Sequence, residues 1–401
     1  MKKIILWLFY AYLILFPLGQ LLRIPPQSTK LVEIHFFLTD VVLAFIVTLW
    51  LGRKLIKREK ITPPPLSKPI LLFATCCLLS LLYNTSLLSG REEFIAGLYL
   101  VRWVVYAGLY FVVYDLIHNP KVKISSAKLA DQISNLLIGT GVAAAVLGLL
   151  QYIFIPDTRF LEKYGWDPHL YRVIGTFFDP GFLGAIFVLT LILIVNLNWN
   201  KKNRFLIAKQ QTLFIFAGII VYLALALTYS RASYLAYLAG MGTIAWFKKS
   251  PRFFLAVAAA GVITVFLLPR PGGEGVRLER ESTIKYRIIN WKQSLTIVQK
   301  NPVFGVGFNA YRYAQRRYGF LDIPEWQLSH AGAGADSSLL FILATTGIVG
   351  FSAYLWLWWK ILRSKNLIIL ASAFALLVHS TFVNSLLYPW IMAWLWIILA
   401  I

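Results

Sequence analysis

Long apolar segments alternate with short polar segments along the chain. Apolar runs of roughly 17–25 residues, the length that crosses about 30 Å of hydrocarbon as a helix, recur from the N-terminal region onward. This pattern predicts membrane-spanning helices at residues 4–22, 34–51, 69–83, 95–117, 133–155, 173–197, 212–228, 233–247, 252–268, 337–362, 367–386 and 388–401. The first run follows two lysines and lacks a small-residue cleavage site, so we interpret it as a retained span rather than a signal peptide.

The longest segment between spans, residues 269–336, has a pattern of its own. From Thr283 to Lys300, apolar residues recur at steps of three and four, which predicts an amphipathic helix near the membrane surface. Gly305 and Gly307 in NPVFGVGFNAYR predict a turn with close backbone contact, and a basic, aromatic helix follows. The predicted domains are residues 1–268, with nine spans, the loop 269–336, and residues 337–401, with three spans.

Composition agrees with a membrane protein. Of the 401 residues 59% are hydrophobic and 14% are charged, against about a quarter charged in a typical soluble domain. We therefore expect an all-α fold, a polytopic bundle of about twelve transmembrane helices with one long, partly helical loop.

Charge predicts the orientation of this bundle. If the N-terminus is cytoplasmic, the short inner loops and the terminus hold 21 Lys and Arg residues and the short outer loops hold 7. Such a bias predicts that the N-terminus is cytoplasmic and that the loop 269–336 is extracytoplasmic. The net charge of +22 is divided among loops separated by spans, which argues against nucleic acid and favours contact with anionic membrane lipids.

Cysteine and histidine usage gives no sign of a metal or a disulfide. Cys76 and Cys77 are adjacent within a span, and the five histidines are scattered without an acidic cluster. We expect no metal site and no cofactor.

Charged residues within or beside spans are the informative ones, because their burial in a membrane is costly. The predicted topology brings several of these residues to the outer face: Arg172, Asp179, Arg231, Arg287 and Asp336. Clustered guanidinium groups suit a pyrophosphate, whose oxygens accept forked hydrogen bonds. The alternative for each arginine is a snorkelling or ion-paired side chain. Arg102 lies deepest, has no evident partner in its own helix, and is a further candidate.

Four segments carry a resemblance to a known family. YRVIGTFFDPGFLGAIFVL, YSRASYLAYLAG, RIINWKQSLTIVQKNPVFGVGFNAY and ADSSLLFILATTGIVGFSAYL occur in this order. Together they resemble the O-antigen ligase and O-antigen polymerase superfamily of bacterial envelope enzymes over about residues 90–390, most strongly over 172–350.

The resemblance implies a membrane glycosyltransferase with an all-helical, GT-C-like bundle. It implies a glycan donor on undecaprenyl pyrophosphate, a glycan or glycolipid acceptor at the outer face of the inner membrane, and no divalent metal. Arg231 and Arg287 match family arginines thought to hold the pyrophosphate, and Arg172 is a third candidate. The expected reaction is a single inverting displacement.

The sequence departs from the ligase pattern at one position. Ligases carry a histidine, then Asn, Ser or Gln, then nine residues and Gly-x-x-Gly; counting back from Gly347 and Gly350 places Asp336 at the histidine and Ser337 after it. This departure favours the polymerase and exopolysaccharide branches of the superfamily. It argues against ligation to lipid A–core, which is a step of lipopolysaccharide synthesis.

The roles of the acidic residues remain open between two interpretations. Asp336 could cap the following helix or act as general base for a sugar hydroxyl, and His330 is an alternative base. Asp179, next to Pro180, could shape a helix entrance or take part in the chemistry. A transporter or flippase of a glycolipid or anionic solute is the alternative function, but it would need charges on both faces and at mid-depth.

Overall fold

The computed structural model describes residues 2–24, 35–59, 62–118, 125–200, 207–324, 326 and 334–401. These residues form fourteen α-helices and one antiparallel pair of two-residue strands, Arg23–Ile24 and Phe36–Phe37, so the expected all-α class is confirmed as a mostly helical fold. The helices are α1 (Lys2–Leu15), α2 (Leu38–Ile56), α3 (Ser67–Tyr83), α4 (Gly90–His118), α5 (Ser126–Phe154), α6 (Pro180–Asn200), α7 (Ile207–Ala226), α8 (Arg231–Phe247), α9 (Pro251–Leu267), α10 (Ser282–Lys300), α11 (Tyr311–Arg317), α12 (Ser338–Leu362), α13 (Leu367–Ser380) and α14 (Pro389–Ala400).

A helix lies at each of the twelve predicted spans, and α10 and α11 lie where two loop helices were expected. Within the described ranges five helices are long and apolar enough to cross a membrane, among them α4, α5 and α12, and shorter apolar helices accompany them. The chain is therefore a multi-pass membrane protein. The number of twelve crossings and the orientation stay predictions.

The short last helix is central rather than peripheral. All residues from Pro389 to Ala400 are buried, and Trp390 and Trp394 are among the largest fully buried side chains. This helix packs along α4, and the Trp390 ring lies 4.6 Å from that of Phe37, at the start of α2. Helix α14 is therefore apolar because its residues pack in the core of the bundle.

The predicted span 337–362 is not one continuous helix. At Gly347 the backbone takes φ +62° and ψ −168°, which interrupts α12. The segment around Gly305 fills the break: Val306 N–H donates to the Ala344 carbonyl (3.1 Å) and Ile348 N–H donates to the Pro302 carbonyl (2.9 Å). The predicted span is present as α12, and at its interruption backbone groups of the loop replace the internal hydrogen bonds of the helix.

Glycine is needed on both sides of this contact. A Cβ on Gly347 would collide with the Val303 carbonyl, and a Cβ on Gly305, at φ +67°, would collide with the backbone of Thr345. Gly307 also has a positive φ of 99°. The predicted turn with close backbone contact is confirmed.

Helix α10 turns a different face to the protein than its apolar pattern suggests. Ile284, Ile288 and Leu295 are exposed, whereas Ser294 and Ile297 are buried. The exposed apolar stripe fits the predicted position at a membrane surface. The side toward the bundle carries polar groups, including Arg287.

Candidate active site

Two loops meet at the end of the bundle where α6 and α8 begin, and together they hold three strained residues. Tyr171, Phe178 and Tyr229 have positive φ angles of 53°, 57° and 50°. Such angles are uncommon for bulky residues and concentrate at functional sites. Tyr171 directly precedes Arg172 and Phe178 directly precedes Asp179, while Tyr229 lies two residues before Arg231.

Arg172 joins these two loops. Its Nε donates to the Thr228 carbonyl (2.9 Å), and its Nη1 lies 3.5 Å from Nδ1 of His169, which is also buried. Burial, and then the charge of Arg280, lower the pKa of Arg172 to about 10. The guanidinium therefore remains charged at neutral pH while it holds the segment before α6 against the turn between α7 and α8.

Arg231, at the start of α8, holds the loop that leads to α10. Its Nη1 donates to the carbonyls of Leu278 and Arg280 (both 3.1 Å), and its Nη2 donates to Oγ1 of Thr283 (2.8 Å). An arginine offers five N–H donors, so these bonds occupy most of its capacity. The side chain contributes charge and fixes the position of its neighbours.

Arg280 is a member of the site that sequence reasoning missed. Its Nη1 donates to the Gly275 carbonyl (2.9 Å), and burial followed by the charges of Arg231 and Arg287 lowers its pKa. In the sequence it is one of ten basic residues in the long loop and has no distinguishing motif. We assign Arg280 to the site because its carbonyl accepts a hydrogen bond from the guanidinium of Arg231.

Arg287 differs from the other three arginines in its hydrogen bonding to the described residues. It projects from α10 with its Cζ 6.0 Å from the Phe382 ring, and it makes no hydrogen bond with the described residues. Burial lowers its pKa, nearby Asp336 opposes that shift, and Arg231 adds to it. A half-buried guanidinium that makes no hydrogen bond with the described residues and lies beside other cations is suited to binding an anion.

Asp336 does not cap α12. The cap is Ser337, whose hydroxyl accepts a hydrogen bond from Leu340 N–H (3.4 Å). Asp336 is fixed through its backbone, because its N–H donates to Oδ1 of Asn290 (2.8 Å) and its carbonyl accepts from the Trp291 indole (3.4 Å). The capping interpretation of Asp336 is therefore wrong.

The carboxylate of Asp336 is left available. It accepts no hydrogen bond from any residue that the structure describes. Burial raises its pKa, Arg287 acts in the opposite direction, and Asp167 adds to the rise. A carboxylate with a raised pKa and free oxygens can accept a proton from a hydroxyl.

Asp179 caps α6. Its Oδ1 accepts from the N–H groups of Gly181 (2.7 Å) and Phe182 (2.8 Å), as expected for a residue that shapes a helix entrance. Burial raises its pKa, and the hydrogen bond from Phe182 lowers it. Asp179 interacts electrostatically with Arg172 and Arg287, and so belongs to the same cluster.

Arg102 lies in a separate ion pair. Its Nη2 is 2.9 Å from Oδ2 of Asp40 on α2, and its guanidinium stacks near the rings of Phe36, Phe37 and Tyr99. The partner that its own helix lacks is thus supplied by another helix. This ion pair leaves no reason to assign the pyrophosphate to Arg102, and we omit it from the proposed site.

Two further residues named in the sequence analysis, His330 and Gly350, lie outside this cluster of described residues. His330 lies outside the described residues. Gly350 is buried within α12, where a Cβ would meet the side chain of Thr346.

The resulting cluster holds four arginines from three chain segments with two carboxylates: Arg172, Arg231, Arg280, Arg287, Asp179 and Asp336. The arginines interact electrostatically with one another through Arg280. Within the described ranges no group of three or more His, Cys, Asp or Glu side chains is arranged to hold a metal ion. The positive charge of the site comes from guanidinium groups.

Comparison with known proteins agrees with the resemblance. Residues 213–355 match the family model described as O-Antigen ligase, a stretch that includes Arg231, Arg280, Arg287 and Asp336 but not Arg172. No curated protein matches the chain. Residues 213–355 of this multi-pass membrane protein are therefore similar to the O-antigen ligase family, which confirms the predicted resemblance to the O-antigen ligase and polymerase superfamily.

Proposed function

We propose that this protein is a glycosyltransferase that moves a glycan from undecaprenyl pyrophosphate to a sugar hydroxyl at the outer face of the inner membrane. The acceptor is a growing glycan or a glycolipid. The reaction inverts the anomeric carbon and uses no metal ion. The observation that carries the proposal is the cluster of four arginines beside Asp336.

The energetics of this cluster favour an anionic ligand. Like charges repel, and burial disfavours each charged guanidinium; both effects lower the pKa of Arg280 and of Arg172. A bound pyrophosphate would relieve this repulsion and offer oxygens to the free donors of Arg287. A leaving group that gains charge in the transition state would be stabilised further.

In the proposed mechanism, the acceptor hydroxyl attacks the anomeric carbon as the bond to the pyrophosphate oxygen breaks. The hydroxyl proton passes to the Asp336 carboxylate, whose free oxygens and raised pKa support this role. Arg287 and Arg280 neutralise the departing pyrophosphate. Arg231 holds the loop that carries Arg280 and leads to α10, and Arg172 holds the segment before α6 against the turn between α7 and α8.

The acid at the position of the ligase histidine distinguishes the subtypes. With Asp336 there, we favour a polymerase or exopolysaccharide transferase over a lipid A–core ligase. The gathering of the arginines at one end of the helices favours an enzyme over a transporter, and the main mid-depth charge, Arg102, is neutralised by Asp40.

The test is a transfer assay with purified protein in lipid nanodiscs and an undecaprenyl-pyrophosphate-linked glycan. Arg287→Ala should lower the rate by roughly 100-fold or more, as loss of a transition-state donor does. The matched control is Arg270→Ala, in the same loop, because Arg270 is exposed and paired with Glu279 (3.3 Å). Full activity of Arg287→Ala would contradict the proposal.

A further inference from the structure

Helix α10 carries both Arg287 and the groups that hold the backbone of Asp336. Oδ1 of Asn290 accepts a hydrogen bond from Asp336 N–H (2.8 Å), and the Trp291 indole donates to the Asp336 carbonyl (3.4 Å). Asn290 lies three residues after Arg287, so it occupies the next turn on the same face, about 4.5 Å further along the helix axis at 1.5 Å per residue. Both backbone polar groups of Asp336 are therefore bonded to the helix that bears the arginine.

The turn between α13 and α14 supports the same arrangement from the other side. The Phe382 ring in this turn lies 6.0 Å from Cζ of Arg287. The chain just after Asp336 is bonded to the same turn, because the Ser338 hydroxyl accepts from Leu386 N–H (3.0 Å). The segment that carries Asp336 is therefore held between α10 and the α13–α14 turn.

The position of the Asp336 carboxylate depends on these backbone bonds. The carboxylate itself accepts no hydrogen bond from the described residues, so no side-chain bond within them orients it. Of the two bonds to its backbone, the one to Asn290 has the normal length for N–H···O, about 2.7–3.2 Å, and the one from Trp291 is longer. Asn290 therefore contributes most to the placement of this carboxylate relative to α10.

We infer that Asn290 is a positioning residue that holds Asp336, as the base, at a fixed separation from Arg287. The inference rests on the proposed function, which supplies the roles of these two side chains. In an inverting displacement the attacking hydroxyl and the leaving group lie on opposite faces of the anomeric carbon, so the base and the cation must be held apart at a set distance. A misplacement of about 1 Å can cost on the order of 100-fold in rate. Because α10 carries Arg287 and binds the backbone of Asp336, one helix sets this distance.

The first experiment compares kcat with donor affinity in the transfer assay. Asn290→Ala removes the acceptor for Asp336 N–H and should lower kcat roughly tenfold or more, while the affinity for undecaprenyl pyrophosphate stays within about twofold because Arg287 is intact. Ser294→Ala is the control, since it breaks the bond of the same helix to the Tyr311 hydroxyl (2.6 Å) and leaves the Asp336 backbone bonds in place. The control should keep the kcat of wild type. A wild-type kcat in Asn290→Ala, or an equal loss in the control, would overturn the inference.

The second experiment uses Asn290→Asp, which has the same shape and keeps an oxygen that accepts from Asp336 N–H. This variant should recover most of the kcat lost in Asn290→Ala. Its added negative charge should raise the pKa of Asp336 and move the acid limb of the pH–rate profile to higher pH. The other groups that interact electrostatically with Asp336 are Arg287 on α10, Tyr311 on α11 and Asp167 in the segment before α6, and the variant leaves all three in place. An acid limb at the wild-type pH, or a kcat as low as that of Asn290→Ala, would overturn the inference.

A measurement without turnover lets the two proposals fail separately. In hydrogen–deuterium exchange the backbone amide of Asp336 should exchange at least tenfold faster in Asn290→Ala than in wild type or Asn290→Asp, because it has lost its acceptor. If wild type transfers glycan while exchange and kcat are unchanged in Asn290→Ala, the positioning role is wrong and the proposed function stands. If wild type transfers no glycan while the exchange depends on Asn290, the glycosyltransferase proposal fails and the hold of Asn290 on Asp336 stands.

Discussion

The four arginines of the cluster differ in how many of their donors are already used. Arg231 makes three hydrogen bonds to the loop before α10, while Arg287 makes none with the described residues. A guanidinium that is already bonded to the protein acts chiefly through position and charge. One with free donors can bind a ligand directly.

This difference predicts separable effects of two alanine substitutions. Arg231→Ala removes three hydrogen bonds, each worth about 1 kcal/mol, and should lower Tm in detergent as well as activity. Arg287→Ala should lower activity and leave Tm within about 1 °C of wild type, since it breaks no hydrogen bond to the described residues. Thermal unfolding followed by tryptophan fluorescence checks both, and equal losses of Tm would contradict the assignment.

Asp336 should set the acid side of the pH–rate profile. Its carboxylate acts as a base only when ionised, so the rate should fall as pH drops through a pKa that burial raises above the ordinary aspartate value of 3.8. Asp336→Asn should lose at least about 100-fold in rate and lose this pH dependence. An unchanged profile in the variant would exclude Asp336 as the base.

The raised pKa of Asp336 also predicts how this residue affects the stability of the fold. A carboxyl group whose pKa is raised on folding stabilises the fold below its unfolded-state pKa, and this contribution is lost as pH rises through the folded-state pKa. At pH 7 the ionised Asp336 therefore brings no stability from this source. Asp336→Asn removes this buried charge and should have a Tm equal to or above that of wild type, which separates a loss of chemistry from a loss of fold.

Sequence alone identified some of these residues and not others. Arg231, Arg287 and Asp336 stand in recognisable motifs beside apolar runs. Arg280 and His169 could not be distinguished from other loop residues, because only the folding of the loops against α8 gives them neighbours. Asp40, the partner of Arg102, was missed for the same reason, since it lies on another helix.

At the scale of elements, hydrophobic periodicity predicted helices well because each apolar run has the length of a helix. It could not reveal the break in α12, since the residues around Gly347 are as apolar as a continuous helix would require. The break depends on a partner distant in sequence, the segment 302–307. Ser80 of α3 also bonds to both sides of this contact, at the carbonyls of Phe304 and Thr345 (2.7 Å each).

The break in α12 predicts a large loss of stability when Gly347 is replaced by alanine. Gly347→Ala would combine a positive φ with a backbone collision and should destabilise the protein by on the order of 3 kcal/mol. Gly52→Ala is the control, because nothing lies within 4 Å of its Cβ position in α2, and alanine favours a helix over glycine by about 1 kcal/mol. A Tm for Gly347→Ala equal to that of the control would show that the break is dispensable.

At the scale of the whole molecule, the fold brings residues from α8, α10, the loop before α6 and the entrance of α12 to one end of a helical bundle. All residues of α14 are buried, so the bundle has a packed core. The distribution of Lys and Arg predicts that this end is extracytoplasmic. A site at the predicted membrane surface suits a substrate that is part lipid and part sugar.

The central claim is that this arginine cluster binds a pyrophosphate. Equilibrium binding of undecaprenyl pyrophosphate and undecaprenyl monophosphate to wild type, Arg287→Ala and Arg270→Ala in nanodiscs tests it most directly. The account predicts that wild type and Arg270→Ala bind the pyrophosphate at least tenfold more tightly than the monophosphate, and that Arg287→Ala loses this preference. Equal affinity of wild type for the two lipids, or an undiminished preference in Arg287→Ala, would contradict it.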